Sequence, residues 1–396
     1  MEKFNIFYTT QAKDLCVLIF QINKLHMKAF LSTDWHFGIY INDLNKWLDM
    51  MEDYFLNFFI PYLRKNTKQD DILIILGDIY DNRTSIPIIV SYKLEKILNE
   101  ISKILPVHII VGNHDLWNKG TNDVNSVRLF DHIDNISVYT ETTTLEMCGK
   151  KLVLMPWVEK RFDMINELND NPGDYLFCHS DLNGCRMHLN SVAHRNPDKI
   201  DVEQFKGYKR VFSGHIHIRQ VEKNFEFIGS PYQMDRNDRD DKKGITILDI
   251  MSGETDFVEN THSPVFRKLR IITEDDIEML EAETNSKDYI DLVISNKLIV
   301  SDRKVRRKLE VLLEKGEFTS IEYLDDIVED NSDEQEDEVL DIEGDIEITT
   351  QLDYESYIRK FIESKTFRSE KFKKGLLGEY EKITEIYQEN YRSKST

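Results

Sequence analysis

"ILIILGDIYDN", residues 72–82, is the stretch on which the fold turns. Five apolar residues, Ile72 to Leu76, run without a break into Gly77-Asp78. A strand with one face in water alternates apolar and polar residues, so a short unbroken run marks a strand covered on both faces. The same arrangement recurs in "KAFLST" (28–33), "VHIIVGNHD" (107–115), "KLVLMPW" (151–157), "DYLFCHS" (174–180), "RVFSGHIH" (210–217), "FEFIGSPY" (225–232) and "GITILDI" (244–250). Helical periodicity fills two of the early gaps. Residues 43–65 place Leu44, Trp47, Leu48, Met51, Tyr54, Phe55 and Phe58 on one stripe, and a second helix is expected over Pro87 to Ile101, where proline suits the first turn. Strand–helix alternation that becomes richer in strands after residue 140 gives the α/β class.

The 396 residues allow two or three domains. No apolar run reaches the length of a membrane span, and "LCVLIFQI" (15–22) is too short and lacks a cleavage site after it. Cys16, Cys148, Cys178 and Cys185 show no C-x-x-C spacing and read as reduced thiols of a cytoplasmic protein. The net charge is −21, but 14 acidic residues and no Lys or Arg lie between Glu322 and Glu347; without them −7 remains. The charge therefore does not exclude a nucleic-acid partner. Residues 1–26 precede the pattern and read as an extension of uncertain role, with Met27 an alternative start; a chain begun at Met27 is expected to fold and act normally. Residues 263–324 read as a small βαβαβ unit, 325–350 as a solvated acidic linker and 351–396 as helical again, with apolar stripes at Tyr354, Tyr357, Ile358, Phe361, Ile362 and at Phe372, Leu376, Tyr380, Ile383, Tyr387.

The chemistry sits at the strand ends. "STDWHFG" supplies Asp34 and His36, "LGDIYDN" Asp78 and Asp81, "VGNHD" Asn113, His114 and Asp115, "FCHSD" His179, and "SGHIH" His215 and His217. In an extended segment residues i and i+2 share a face, so each H-x-H or D-x-H can present a pair of ligands. An isolated H-x-H could equally be two loop histidines bonded to backbone. Five polar tips at the carboxyl ends of five strands converge on one crevice. Carboxylates, imidazoles and one amide, without thiolate, suit Mn, Fe or Zn. Seven ligands are too many for one ion and right for two, and Asp78 is the natural bridge. Such a pair can clamp the attacking and leaving oxygens of a displacement at phosphorus. Gly77, Gly112 and Gly214 beside the tips allow close backbone approach.

The ordered set D-x-H, G-D-x-x-D, G-N-H-D, H and G-H-x-H over residues 27–260 resembles the calcineurin-like metallophosphoesterases. "GDIYDN" lacks the Arg-Gly of the protein Ser/Thr phosphatases, and "FSGHIHIRQ" followed by "FEFIGSPYQMDRND" is similar to the SbcD-type nuclease subunits of double-strand-break repair. The nearest resemblance is to their T-even phage branch, the small subunit of a recombination endonuclease. The fold this implies is a metallophosphoesterase β-sandwich flanked by helices (27–262), a small α/β DNA-capping domain (263–324) and C-terminal helices. The activity it implies is Mn-dependent exo- and endonucleolytic cleavage of DNA ends and single strands. The partner it implies is an SbcC-type ABC ATPase bound through the C-terminal helices, with the nuclease a homodimer inside a heterotetramer in the cytoplasm, that of the host for a phage protein. One metal ion falls to Asp34, His36, Asp78 and His217, the other to Asp78, Asn113, His179 and His215. His114 matches the position that assists the leaving 3′-oxygen. Asp81 is either a second catalytic helper or a carboxylate that orients a ligand histidine. Asp115 reads as a supporting or turn residue. Arg303, Lys304, Arg306, Arg307 and Lys308 are either phosphate contacts or a solvated helix face. A two-metal phosphodiesterase or phosphatase for small molecules or proteins, and an inactive scaffold, are the competing readings. His188, His194 and His262 have no assigned role.

Overall fold

The computed structural model describes residues 27–324, apart from 40–43, 119–120, 192, 194–195, 197 and 302. Expectations for residues 1–26, for the acidic stretch from 325 onward and for the stripes beyond it lie outside the described residues. So does the second of the chain's two units, Glu329–Thr396.

In chain order the strands are β1 (Lys28–Ser32), β2 (Ile72–Ile75), β3 (Val107–Ile110), β4 (Leu116–Asn118), β5 (Thr121–Asn125), β6 (Ile136–Tyr139), β7 (Thr143–Met147), β8 (Lys150–Met155), β9 (Tyr175–His179), β10 (Arg210–Gly214), β11 (Gln220–Glu222), β12 (Phe225–Phe227), β13 (Gly244–Asp249), β14 (Thr255–Glu259), β15 (Phe266–Ile271), β16 (Tyr289–Ser295) and β17 (Ser320–Leu324). The helices are α1 (Leu44–Tyr54), α2 (Ile60–Asn66), α3 (Ile88–Ser102), α4 (Arg161–Asp170), α5 (Glu274–Glu283), α6 (Asn296–Ser301) and α7 (Arg303–Lys315). One six-stranded sheet runs β14-β13-β1-β2-β3-β6 and a second β11-β12-β10-β9-β8-β7. β1, β2, β3 and β6 are parallel, as are β8, β9, β10 and β12; the antiparallel strands lie at the margins.

The period of two explains the unbroken apolar runs. Leu31, Ile74, Leu76 and Ile110 of the first sheet share one buried cluster with Leu154, Phe177 and Phe212 of the second, so the sheets pack face to face. The alternate residues Phe30, Leu73, Ile75 and Ile109 lie against α1, α2 and α3. Leu176, Cys178 and Val211 lie against α4 through Met164 and Leu168. Each central strand is thus covered by helices on one face and by the other sheet on its other face. The site consequently collects strand ends from two sheets, as the β-sandwich implied by the family resemblance requires.

The long helix expected over 43–65 is divided. Between α1 and α2, Phe55–Phe59 form a π-helical turn. Pro61 follows it at the start of α2 and has no N–H to give the regular ladder. The turn directs Phe55 and Phe59 inward, with the Phe55 ring 4.4 Å from that of Trp35. β15, β16 and β17 form a separate parallel sheet, in the expected strand–helix order. One face, carrying Ile290, Leu292 and Ile294, packs on α5–α7. The other carries Tyr289, whose ring stacks 5.2 Å from Trp47 of α1. Cys148, Cys178 and Cys185 are free thiols. No described helix is long and apolar enough to cross a membrane.

Candidate metal centre

The ends of β1, β2 and β3 meet those of β9 and β10 above the packed sheets. Beyond β1 and β2 the backbones stay bonded: Asp34 N–H donates to the Gly77 carbonyl and His36 N–H to the Asp78 carbonyl, each at 3.1 Å. This holds the two tips side by side. Close approach explains the glycines there. A Cβ on Gly112 would run into the Asp78 carboxylate, and one on Gly77 would come within 2.7 Å of Gly112 and of His179 Nδ1. Gly214 is likewise packed against Thr33 and His179.

The seven expected ligands converge. Asp34, His36 and His217 form one group, Asp78, His179 and His215 a second, and His36, Asp81 and His114 a third, with ligand atoms within 4.8 Å of one another in each. Asp78 Oδ2 lies 3.1 Å from His179 Nε2 and 4.0 Å from His36 Nε2, between the first two groups. Asn113 Oδ1 lies 3.0 Å from His179 Nε2 and 2.9 Å from His215 Nδ1. His179 Nδ1–H donates to the Leu76 carbonyl at 2.6 Å, which turns Nε2 toward the Asp78 and Asn113 oxygens. His36 Nε2 and His217 Nε2 face each other at 3.1 Å. Carboxylates and imidazoles crowded this closely need a shared positive charge, which ring protons or divalent cations supply. The donor set therefore fits two such ions.

With that geometry in place, a family comparison bears on the site: residues 27–219 match the profile of the calcineurin-like phosphoesterases. Those residues are a calcineurin-like phosphoesterase domain. The chain is a metal-dependent phosphodiesterase of the hydrolase class. Over 242 residues it is 28% identical to Exonuclease subunit 1 of Enterobacteria phage T4, covering 59% of this chain and 68% of that protein. It is 26% identical over 179 residues to Putative phosphoesterase 244L of Invertebrate iridescent virus 6, covering 43% of this chain and 61% of that relative. Among solved structures, a protein of unknown function from Aquifex aeolicus aligns with a TM-score of 0.25 at 16% identity, over 39% of this chain and 81% of that one.

Electrostatics in the phosphoesterase site follow from burial and crowding. Burial holds the Asp34 carboxyl above its ordinary range. Burial would also raise Asp78, but His179 and the neighbouring imidazoles hold it well below. Burial opposes charging His36 and His179; the hydrogen bond from His36 to Asp81, and the Asp78 charge beside both, outweigh it and push each up to about 9. His217 is driven well down by burial and the His36 charge, and His114 is lowered by the same two causes. The phosphoesterase site thus holds positive charge where divalent ions would sit.

The remaining expected residues surround this set. His114 donates its N–H to Asp78 Oδ1 at 2.8 Å, and its Nδ1–H to the Asp81 carbonyl at 2.8 Å. The Asp81 carboxylate lies 3.3 Å from His36 Nδ1. Asp115 accepts from the backbone N–H groups of Gly112, Asp78 and Ile79, a turn-closing carboxylate that burial and Asp78 push up to about 7. Arg303, Lys304, Arg306, Arg307 and Lys308 lie exposed on α7. Sequence reasoning passed over three neighbours of the phosphoesterase site. Asp181 lies 2.8 Å from His215 Nε2. The Tyr232 hydroxyl donates to the carbonyl of Trp35, between Asp34 and His36. Buried Lys243 donates to the His217 carbonyl at 2.8 Å. Only the H-S-D triplet at 179–181 carried a local signal, for Asp181.

Proposed function

We propose that this chain is the nuclease subunit of a DNA-end-processing complex. It hydrolyses DNA phosphodiester bonds with two Mn²⁺ ions and works with an SbcC-type ABC ATPase in recombination and double-strand-break repair. The observation that carries the reading is the position of the Asp78 carboxylate, whose Oδ2 lies 3.1 Å from His179 Nε2 of its own ligand group and 4.0 Å from His36 Nε2 of the Asp34 group. Asp34, His36, Asp78 and His217 hold one ion; Asp78, Asn113, His179 and His215 hold the other. When bound, the pair polarises the phosphodiester and offsets charge on the attacking and leaving oxygens.

This chain's own residues do the rest. Asp81 fixes the His36 ring so that Nε2 turns inward, and Asp181 does the same for His215 through its Nε2. His114 is outside both ligand groups in this reading. Its Nδ1 is committed to the Asp81 carbonyl, which leaves Nε2 to pass a proton to the departing 3′-oxygen. Similarity to Exonuclease subunit 1 of the phage supports DNA as substrate and a partner subunit. The exposed basic face of α7 supports binding to phosphates. The ATPase is assigned to residues 351–396, the chain to a homodimer within a heterotetramer, and the site of action to the host cytoplasm. Residues 27–262, 263–324 and 325–350 are the nuclease domain, the DNA-capping domain and the linker.

The competing reading is a phosphodiesterase or phosphatase for small molecules or proteins. Incubation with linear duplex DNA, circular single strands and a chromogenic phosphodiester, each with Mn²⁺, Mg²⁺ or chelator, separates the two. Mn²⁺-dependent loss of linear DNA that chelator stops supports the nuclease. Turnover of the chromogenic ester with DNA untouched assigns the site to small substrates.

A further inference from the structure

The loop from Gly229 to Lys243 touches two places at once. At one end it holds the backbone of the metal centre. Ser230 N–H and Lys243 Nζ both donate to the His217 carbonyl, at 3.0 and 2.8 Å, and the Tyr232 hydroxyl donates to the Trp35 carbonyl. Lys243 is itself held by Asp238 and Asp241, at 2.5 and 2.8 Å, and all three are buried. At its other end the loop grips the small three-stranded sheet. Gln233 Oε1 accepts from Phe266 N–H at 2.6 Å. Arg236 donates twice to Asp291 of β16, at 2.7 and 2.9 Å, and Arg239 donates to the same carboxylate at 3.2 Å.

The distribution of these tethers is uneven. His217 and Trp35 belong to the Asp34–His36–His217 group. The Asp78–His179–His215 group is held instead by Leu76, Asn113 and Asp181, and by Asp34, which accepts from the His215 N–H at 3.1 Å; none of these lies in the loop. Interdigitated buried groups transmit displacement because packed interiors are not freely deformable. We infer that the Gly229–Lys243 loop makes the small sheet a positioning device for one of the two metal subsites. Arg236, Arg239 and Asp291 set the geometry of the Asp34–His36–His217 subsite and leave the other unaffected. This rests on the two-ion reading proposed above.

The test is calorimetric titration of the full chain with Mn²⁺ alone, comparing wild type with Arg236→Ala/Arg239→Ala and with Tyr232→Phe. Supporting partners of metal ligands change affinity by about tenfold or more when removed. The expected result is two steps in the wild type, with one step weakened on the order of tenfold in both variants and the other unchanged. With Mn²⁺ limiting, turnover of a chromogenic phosphodiester should fall as the weakened step loses occupancy, and excess Mn²⁺ should restore it. Unchanged steps in the double variant, or an equal loss in both steps, overturn the inference. A wild-type chain that takes up no Mn²⁺ overturns the two-ion reading and this inference with it. If the alanine double variant lacks a cooperative melt, Arg236→Lys/Arg239→Lys replaces it. Lysine keeps the charge but not the two-pronged grip, so one step should again weaken, by less.

Discussion

Asp34, His36, Asp78 and His215 have φ between 41° and 82°, a region that side chains other than glycine seldom occupy. Each such residue stores about 1–3 kcal/mol of backbone strain, sustained by the surrounding sheet ends. The strain turns side chains out of the strand pleat and into a common space, which is why residues from two sheets can meet. His114 is not among these four. Its Nδ1 is bonded to the Asp81 carbonyl and it has no ligand role in the proposed two-ion set, so His114→Ala is expected to keep Mn²⁺ binding while lowering nuclease turnover by roughly 10²–10⁴-fold, the range for a lost proton-transfer group. Loss of metal from the variant would make His114 a ligand or a structural residue instead. His108 gives a residue-scale prediction for stability. Burial pulls its imidazole down to about 4, with its Nδ1 2.8 Å from the Tyr139 hydroxyl. The unfolded chain takes up a proton near the ordinary value of about 6.5 and the folded chain only near 4. Stability therefore falls as pH drops through that window, by at most about 3 kcal/mol from this one group. His108→Gln should flatten that part of a denaturation series measured from pH 7 to pH 4. A series as steep as that of the wild type would assign the acid sensitivity to other groups.

Elements were legible where the signal was local. The runs "ILIILGD" and "VHIIVGNHD" each gave a strand and the candidate ligands at its end, because the apolar period and the polar tip are adjacent in sequence. The small sheet was legible for the same reason. The pairing of two sheets was legible only through the family resemblance, since Leu31 and Phe212 meet through tertiary packing that no local pattern records. The loop's role was equally hidden: Lys243 acts on a carbonyl 26 residues away and Tyr232 on one 197 residues away. The positive φ values and the π turn at Phe55–Phe59 likewise reflect neighbours that no short window contains. On α7, Val305, Leu309 and Leu312 face the core, and the basic residues cover the other face. Arg303→Ala/Arg307→Ala should weaken duplex DNA binding uniformly across sequences. The slope of log affinity against log salt should become shallower by about 0.9 for each phosphate that a removed arginine had neutralised. A slope that does not change would make that face merely solvated.

At the scale of the whole molecule, charge is divided by region. Between Glu322 and Glu347 the chain carries 14 acidic and no basic residues, whereas the exposed face of α7 is basic. A chain ending near Asp330 is expected to keep Mn²⁺-dependent hydrolysis of simple substrates and to lose co-purification with the ATPase. Undiminished ATPase binding by the shortened chain would place the docking element elsewhere. Everything else rests on Asp78 standing between two ions. The most direct test is metal content by mass spectrometry of the full chain equilibrated with Mn²⁺, beside Asp78→Ala, with hydrolysis of linear duplex DNA measured on the same samples. Two equivalents in the wild type, with loss of bound metal and of hydrolysis in Asp78→Ala, are predicted. One equivalent or none in an active wild-type chain, or an Asp78→Ala chain that keeps its metal and its hydrolysis, would contradict the shared carboxylate.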